Sequence, residues 1–133
     1  MKTEFFLPME PPTITHQEKE VTCKSGKPIF YEPGELKSAR AKLTAHLAKH
    51  IPAEKYTGAI RVVVKWLFPI AGKRKDGQYK TTPPDLDNAI KLLNDICTDL
   101  GYWEDDRLIA SLIIEKFWAK TPGIYISIET IGE

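Results

Sequence analysis

The chain has 133 residues, of which 42% are hydrophobic and 28% charged, a composition that suits one soluble domain. No apolar run approaches the roughly 20 residues that a membrane-spanning helix needs. The first residues lack the basic and then apolar order of a signal peptide. These features exclude an integral membrane protein and predict one domain, spanning residues 1–133, in the cytoplasm.

The net charge of +1 hides an uneven distribution of charge along the chain. Residues 24–80 carry 13 lysine or arginine residues against 4 acidic ones, whereas residues 81–133 carry 4 against 10. In the folded protein, this pattern can give a basic face beside an acidic centre. Lysines of such a face can bind a polyanion while the carboxylates bind a cation. A well-mixed surface is an equally good interpretation of the charge alone.

The first half of the chain predicts a short strand, a hairpin and a helix. Residues 5–7 (FFL) favour a strand that stops at Pro8, and the prolines within residues 8–13 exclude regular structure there. Residues 21–31 predict a hairpin that turns at residues 24–27. A helix then begins at residues 33–34, and its apolar stripe consists of Leu36, Ala39, Leu43 and Leu47.

The second half predicts a strand, a basic loop, a helix and two strands. Alternating apolar residues mark a strand at 59–68, and the polar loop at 71–80 is expected to be a flexible excursion. A helix follows from Pro84 to the residue before Gly101. Residues 108–118 and 124–128 then predict two strands that pair as a hairpin. The order of elements predicts an α+β domain with one mixed sheet and two main helices packed against it.

Apolar residues recur at helical spacing along this second helix. They are Leu86, Ala89, Ile90, Leu93, Ile96, Cys97 and Leu100. Cys97 is therefore expected to be a buried free thiol. Because Cys23 and Cys97 do not form a Cys-x-x-Cys pair, a zinc site is not expected.

Acidic residues cluster around the start and the far side of the same helix. Asp85 and Asp87 flank Leu86, so both can face away from the core, and two close carboxylates repel unless a cation lies between them. Hard divalent metals such as Mg²⁺ prefer such oxygen ligands. An acidic helix cap is the ordinary alternative. Lys91 and Asp95 follow at intervals of four residues, and residues 104–106 (EDD) open the next strand.

These residues resemble the signature of the RusA family of Holliday junction resolvases. The matching positions are Pro84, Asp85, Leu86, Asp87, Asn88, Lys91, Asp95, Gly101, Trp103, Asp105 and Asp106. The resemblance implies a bacterial or phage-encoded, Mg²⁺-dependent endodeoxyribonuclease, with Mn²⁺ as a substitute. It further implies that this enzyme resolves four-way DNA junctions by paired nicks in recombination and repair.

The resemblance also implies roles for individual residues. Asp85, Asp87 and Asp106 are expected to bind the metal, with Asp105 as the alternative to Asp106. Lys91 is expected to offset charge at the scissile phosphate. The resemblance is incomplete at Pro83, where many relatives carry a basic residue, and over residues 8–20, which match little.

The basic loop and the symmetry of the substrate add two expectations. Lys73, Arg74, Lys75 and Lys80 are expected to contact DNA phosphates without reading sequence. Because a four-way junction has twofold symmetry and one domain offers one site, a homodimer is expected. Tyr102 and Trp103 either contact DNA or belong to the core.

Two other functions are compatible with parts of the sequence. A DNA-binding protein of the same fold without catalysis explains the basic residues but gives the three acids no use. A nucleotide-sugar transferase explains Asp85-x-Asp87, although such enzymes usually need a larger domain. Nicking of synthetic junctions separates the nuclease from both.

Overall fold

The computed structural model describes residues 1–13, 20–24, 27–31 and 34–132. Its strands are β1 (Lys2–Leu7), β2 (Glu20–Lys24), β3 (Lys27–Tyr31), β4 (Ile60–Pro69), β5 (Ile109–Ala119) and β6 (Gly123–Thr130). Its helices are α1 (Gly34–Leu47) and α2 (Leu86–Leu100), with short 3₁₀ turns at Ala48–His50 and Asp106–Leu108. Both predicted helices and the order of the elements are confirmed.

Four strands form one mixed sheet in the order β1-β6-β4-β5. β6 pairs antiparallel with β1 and with β4, whereas β4 and β5 are parallel. The predicted hairpin near residues 21–31 is confirmed as a separate two-stranded sheet of β2 and β3, in which Lys24 is paired with Lys27. The α+β class with a mixed sheet is therefore confirmed.

The predicted hairpin of the last two strands is wrong. β5 follows α2 in a crossover that returns it parallel to β4, as a strand-helix-strand unit requires. β6 then pairs on the opposite edge of β4, so that β4 lies between β5 and β6. β4 alternates buried residues along its whole length, and this apolar strand occupies the sheet centre. β5 and β6 are adjacent in sequence, which suggested a hairpin. Each of them instead pairs with β4, the central strand with alternating buried residues.

The core lies between the sheet and the helices. The buried face of α2 includes Ile90, Leu93, Ile96 and Cys97, which confirms the predicted stripe and the buried free thiol. Leu86 and Leu100, at the ends of that stripe, are only partly buried. None of the helices in the described ranges is long and apolar enough to cross a membrane.

The turn after α2 is anchored in the core. Gly101 adopts a left-handed conformation (φ 87°) that ends the helix, which a residue without a β carbon tolerates best. Tyr102 and Trp103 are almost fully buried, and their side chains donate to the Leu47 carbonyl (2.6 Å) and to Thr98 Oγ1 (2.8 Å). The core alternative for these two aromatic residues is therefore confirmed. The burial and hydrogen bonds of Tyr102 and Trp103 set the direction in which the chain continues from α2 to β5.

Candidate active site

Asp85 and Asp87 lie at the N-terminal end of α2, and both are exposed. Asp85 occupies the N-cap position, yet its side chain accepts no capping hydrogen bond. Asp87 Oδ1 accepts from its neighbour, the backbone N–H of Asn88, at 3.0 Å. A cap that gives the helix no hydrogen bond is weakly explained by stability alone. The Asp85 carboxylate thus remains available to a ligand at a helix end that favours negative charge.

The segment that leads into Asp85 is held by a lysine that the sequence did not single out. Lys116 Nζ, from β5, donates to the carbonyl oxygens of Thr82 and Pro84, each at 2.7 Å. Two charge-assisted bonds from one strand fix the backbone immediately before the helix. In the sequence, Lys116 is only a lysine inside an apolar strand. Its two acceptors, Thr82 and Pro84, lie 34 and 32 residues away, so local pattern did not predict this role.

Lys80, one of the four predicted phosphate contacts, is mostly buried (8% exposed). Its Nζ lies 4.3 Å from the ring centre of Trp118 and 5.1 Å from that of Phe68, and it donates to Thr82 Oγ1. Burial lowers the pKa of Lys80, and the nearby charges of Lys116 and Arg74 lower it further. A phosphate contact from Lys80 would require its ammonium to leave this aromatic cage.

The other three predicted phosphate contacts, Lys73, Arg74 and Lys75, are exposed on the loop at residues 71–80. This loop is fastened to the outer edge of β5, where Trp118 accepts from Gly77 N–H (2.8 Å) and donates to the Gln78 carbonyl (2.9 Å). The Arg74 guanidinium lies 5.4 Å from the Trp118 ring centre. The predicted excursion is thus paired with β5 at residues 77–80, a contact that the sequence did not predict.

Asp106 lies at the opposite end of α2 from Asp85 and Asp87. It lines a polar cavity with Arg40, Asp95, Thr98 and Asp99. Because α2 has 15 residues, this end is about 22 Å along the helix axis from the first. Within the described ranges, no group of three or more acidic, histidine or cysteine side chains is placed to hold a metal. One chain does not bring the three predicted ligands together.

The two adjacent acids after α2 differ in their local roles. Asp105 caps the following 3₁₀ turn, because its Oδ1 accepts from the Arg107 N–H at 2.8 Å. Asp106 begins that turn, is exposed and faces the polar cavity. The local geometry thus favours Asp106 over Asp105 as a ligand.

Lys91 is exposed on α2, one helical turn after Asp87. This position places it on the solvent side of the helix, between the Asp85–Asp87 pair and the cavity that contains Asp106.

The chain is a small α+β protein in which exposed carboxylates and lysines surround the N-terminal end of one helix. Such a combination suits a phosphate backbone approached by metal-binding carboxylates. The sequence profile of the family described as endodeoxyribonuclease RusA matches residues 8–129. The chain belongs to the RusA endodeoxyribonuclease family.

Two relatives extend this match over most of the chain. A Lactococcus phage r1t protein, named crossover junction endodeoxyribonuclease rusA, is 33% identical over 118 residues, which cover 87% of this chain and 88% of the relative. The Bacillus subtilis (strain 168) protein YqaN is 26% identical over 122 residues, which cover 84% of this chain and 85% of that protein.

Proposed function

We propose that this protein is a metal-dependent endodeoxyribonuclease that resolves four-way DNA junctions by paired symmetric nicks in recombination and repair. The observation that carries the proposal is the pair of exposed carboxylates, Asp85 and Asp87, presented by a segment that Lys116 fixes. The name of the phage relative supports the junction as substrate. Soluble cytoplasmic action on phage or bacterial DNA is part of the same proposal.

The chemistry of Asp85 and Asp87 fits a bound Mg²⁺ ion, with Mn²⁺ as a substitute. Mg²⁺ commonly binds proteins through one or two carboxylates, retaining waters and substrate phosphate as its other ligands. Asp85 and Asp87 would supply these carboxylates, and Asp106 of a second copy would supply a third. When bound, the metal makes a water molecule more acidic and offsets charge on the leaving oxygen.

The cations of the chain divide into two roles in this proposal. Lys91 places positive charge beside the scissile phosphate, where it counts most as charge develops. Lys73, Arg74 and Lys75 hold neighbouring phosphates, since all three are exposed on a fastened loop. Lys80 supports that loop from within its aromatic cage and contacts phosphate only if the cage opens.

The separation of Asp106 from Asp85 and Asp87 supports a homodimer. In a twofold dimer with antiparallel copies of α2, Asp106 of one chain lies at the same end as Asp85 and Asp87 of the other. Two complete sites then form, related by the symmetry of the junction. Paired nicks follow from this arrangement because each half of the dimer faces an equivalent strand.

The test is nicking of a synthetic four-way junction with Mg²⁺ by the parent and by Asp85→Asn and Asp87→Asn variants. Each change should abolish cutting, while junction binding survives or tightens because negative charge near phosphate is removed. Glu54→Gln, an exposed acid elsewhere in the chain, is the matched control and should cut normally. A parent that binds junctions but nicks none with Mg²⁺ or Mn²⁺ would instead be a DNA-binding protein of the same fold.

A further inference from the structure

The loop at residues 71–80 carries an aromatic side chain that is mostly exposed. Tyr79 is 62% exposed, although its neighbour Lys80 is mostly buried. A single exposed aromatic side chain is ordinary in itself. Tyr79 differs because contacts from β5 fix its ring, so that one aromatic face is presented to solvent in a defined orientation.

Two side chains of β5 hold the Tyr79 ring. The ring stacks on that of Phe117, with ring centres 4.8 Å apart and an angle of 25° between the planes. Its hydroxyl donates to Glu115 Oε2 at 2.8 Å, and this hydrogen bond raises the pKa of Tyr79, so the phenol stays neutral. The backbone of the loop pairs with β5 on both sides of Tyr79. Because Phe117 covers one face of the ring, the exposed area belongs mainly to the opposite face.

A second tyrosine, Tyr125 in β6, provides a comparison within the same chain. Its hydroxyl also donates to a glutamate, Glu4. Tyr125 is only partly exposed, however, and Lys65 Nζ lies 5.8 Å from its ring centre. Tyr79 thus combines the same kind of anchored hydroxyl with a much larger exposed face.

The charges around Tyr79 suit a nucleic-acid base better than a phosphate. Lys73, Arg74 and Lys75 precede it on the loop as exposed cations, which attract DNA. Glu115 places a carboxylate at the edge of the ring, and this charge repels a phosphate that would contact the ring itself. Proteins that bind single strands combine cations for the backbone with aromatic rings on which bases stack. The surface around Tyr79 has both features.

Tyr79 also lies within reach of the candidate active site. It precedes Asp85 by six residues, which span at most about 20 Å. One strand of B-DNA covers that distance in about six nucleotides, at about 3.4 Å each. A DNA strand held at Asp85 can therefore extend to Tyr79.

We propose that the exposed face of Tyr79 stacks on an unpaired base beside the branch point of a DNA junction. This contact, which rests on the proposed function, makes Tyr79 a residue that selects branched DNA over duplex. In a duplex, neighbouring bases cover both faces of each base, so no face is open to Tyr79. A base at a branch point can lose such a neighbour, and its π face accepts an aromatic ring whatever the identity of the base.

The first test compares affinity for a four-way junction with affinity for a duplex of the same sequence, without divalent metal so that no strand is cut. Tyr79→Leu should weaken junction binding by about fivefold to a hundredfold, the loss of one stacked base, and leave duplex binding unchanged. Tyr79→Phe keeps the ring and should bind as the parent does. Tyr125→Leu is the matched control and should keep the preference for junctions.

Three results of this test would overturn the inference. They are an unchanged junction affinity of Tyr79→Leu, an equal loss on junction and duplex, and a loss in Tyr79→Phe as large as that in Tyr79→Leu. The last result would assign the effect to the hydroxyl and its bond to Glu115, which is a structural role.

The second test locates the stacked base with abasic sites placed one at a time beside the branch point. At the stacked position, the abasic site should weaken binding of the parent but hardly that of Tyr79→Leu, because both changes remove the same contact. Losses that add at every position contradict the stacking. Tyr79→Leu should also sediment as the parent does. A change in oligomeric state would place the ring between copies of the chain and overturn the inference.

The two proposals fail in different ways. A parent that shows this coupling to an abasic site but nicks no junction with Mg²⁺ or Mn²⁺ contradicts the proposed function, while the stacking stands. A parent that nicks junctions, with a Tyr79→Leu variant that binds them equally well, contradicts the stacking while the nuclease stands.

Discussion

The two ends of α2 carry similar residue types in different settings. At its N-terminal end, Asp85 and Asp87 follow a backbone segment held by Lys116 from the neighbouring strand. At its C-terminal end, Asp106 faces a polar cavity that also contains Arg40 and Asp95. Contacts from β5 therefore hold the backbone before the two exposed carboxylates at the first end. At the second end, Asp106 lies in a short 3₁₀ turn.

The distance between these ends is the reason that the proposed function includes a second copy of the chain. Within one chain, a helix of 15 residues, about 22 Å long, separates the two acidic groups. In the proposed homodimer, a second copy in antiparallel orientation brings them together. The dimer of that proposal both completes the active site and matches the symmetry of a junction.

The proposed sharing of acids between subunits is tested most directly by inactivating each end of α2 in a different subunit. Asp85→Asn and Asp106→Asn homodimers should each fail to cut. A mixed dimer, isolated with two different tags, should regain nicking at one site, because one site then contains both native acids. The measurement is single-strand nicking of a junction labelled on each strand in turn.

The contrary result of that experiment is equally informative. If all three acids act within one chain, both sites of the mixed dimer carry a defect and no nicking returns. Mixing two preparations of Asp85→Asn that carry different tags is the control, and it should remain inactive.

Lys91 tests whether the exposed side of α2 between the two ends takes part in the chemistry. A cation that offsets charge on a reacting phosphate contributes on the order of 3 to 4 kcal/mol, so Lys91→Ala should cut roughly a hundredfold more slowly or worse. A lysine that merely pairs with Asp87 and Asp95 contributes about 0.3 to 0.5 kcal/mol per pair. The measurement is single-turnover cutting of a saturated complex, beside a thermal melt. A folded variant that cuts within threefold of the parent would leave only the helix-surface role.

The sequence predicted local features of the fold well. The apolar period of α2, the alternation of β4 and the pairing of β2 with β3 are set by residues close together in sequence, and all appear as predicted. The pairing of β6 was predicted wrongly because it depends on which strand occupies the sheet centre. That competition among distant segments leaves no periodic signal.

In the candidate site, too, the sequence predicted positions that depend on local spacing and missed those that depend on tertiary contacts. Asp85, Asp87 and Lys91 share one helix, so their spacing alone places them near each other. The position of Asp106 depends on the direction in which β5 returns, and the roles of Lys80 and Lys116 depend on contacts between strands and loop. Lysines buried against Trp118 or bonded to carbonyls are indistinguishable in sequence from solvated lysines.

The loop cations should affect DNA affinity more than cutting. Replacing Lys73, Arg74 and Lys75 with alanine should weaken binding to all DNA sequences about equally. The slope of log affinity against log salt should become shallower by roughly 0.9 for each phosphate that the variant no longer neutralises. Alanine at Lys37, Lys42 and Lys49, three exposed lysines in and after α1, removes the same charge elsewhere and is the control. Equal slopes for both triple variants would show that the loop contributes only general charge.

Lys116 tests whether the N-terminal end of α2 is held as the structure indicates. Lys116→Met keeps much of the side-chain volume but removes two charge-assisted bonds, so the free energy of unfolding should fall by about 2 kcal/mol. Single-turnover cutting should slow several-fold, and more Mg²⁺ should be needed for half-maximal rate, while junction affinity changes little. Lys120→Met, an exposed neighbour, should alter none of these quantities. An unchanged Mg²⁺ requirement in a destabilised Lys116→Met variant would reduce Lys116 to a purely structural residue.

The smallest expected effect concerns Lys80, which distinguishes a supporting cation from one that contacts DNA. Burial lowers the pKa of Lys80 in the folded protein, so at alkaline pH the unfolded chain binds the proton more readily. The free energy of unfolding of the parent, relative to Lys80→Met, should therefore rise as pH rises through the folded pKa towards the unfolded value. Because the ammonium is enclosed by Phe68 and Trp118, the same variant should leave the salt dependence of DNA binding unchanged. A shallower salt slope for Lys80→Met would mean that the cage opens on DNA and that Lys80 joins the three exposed loop cations at the phosphates.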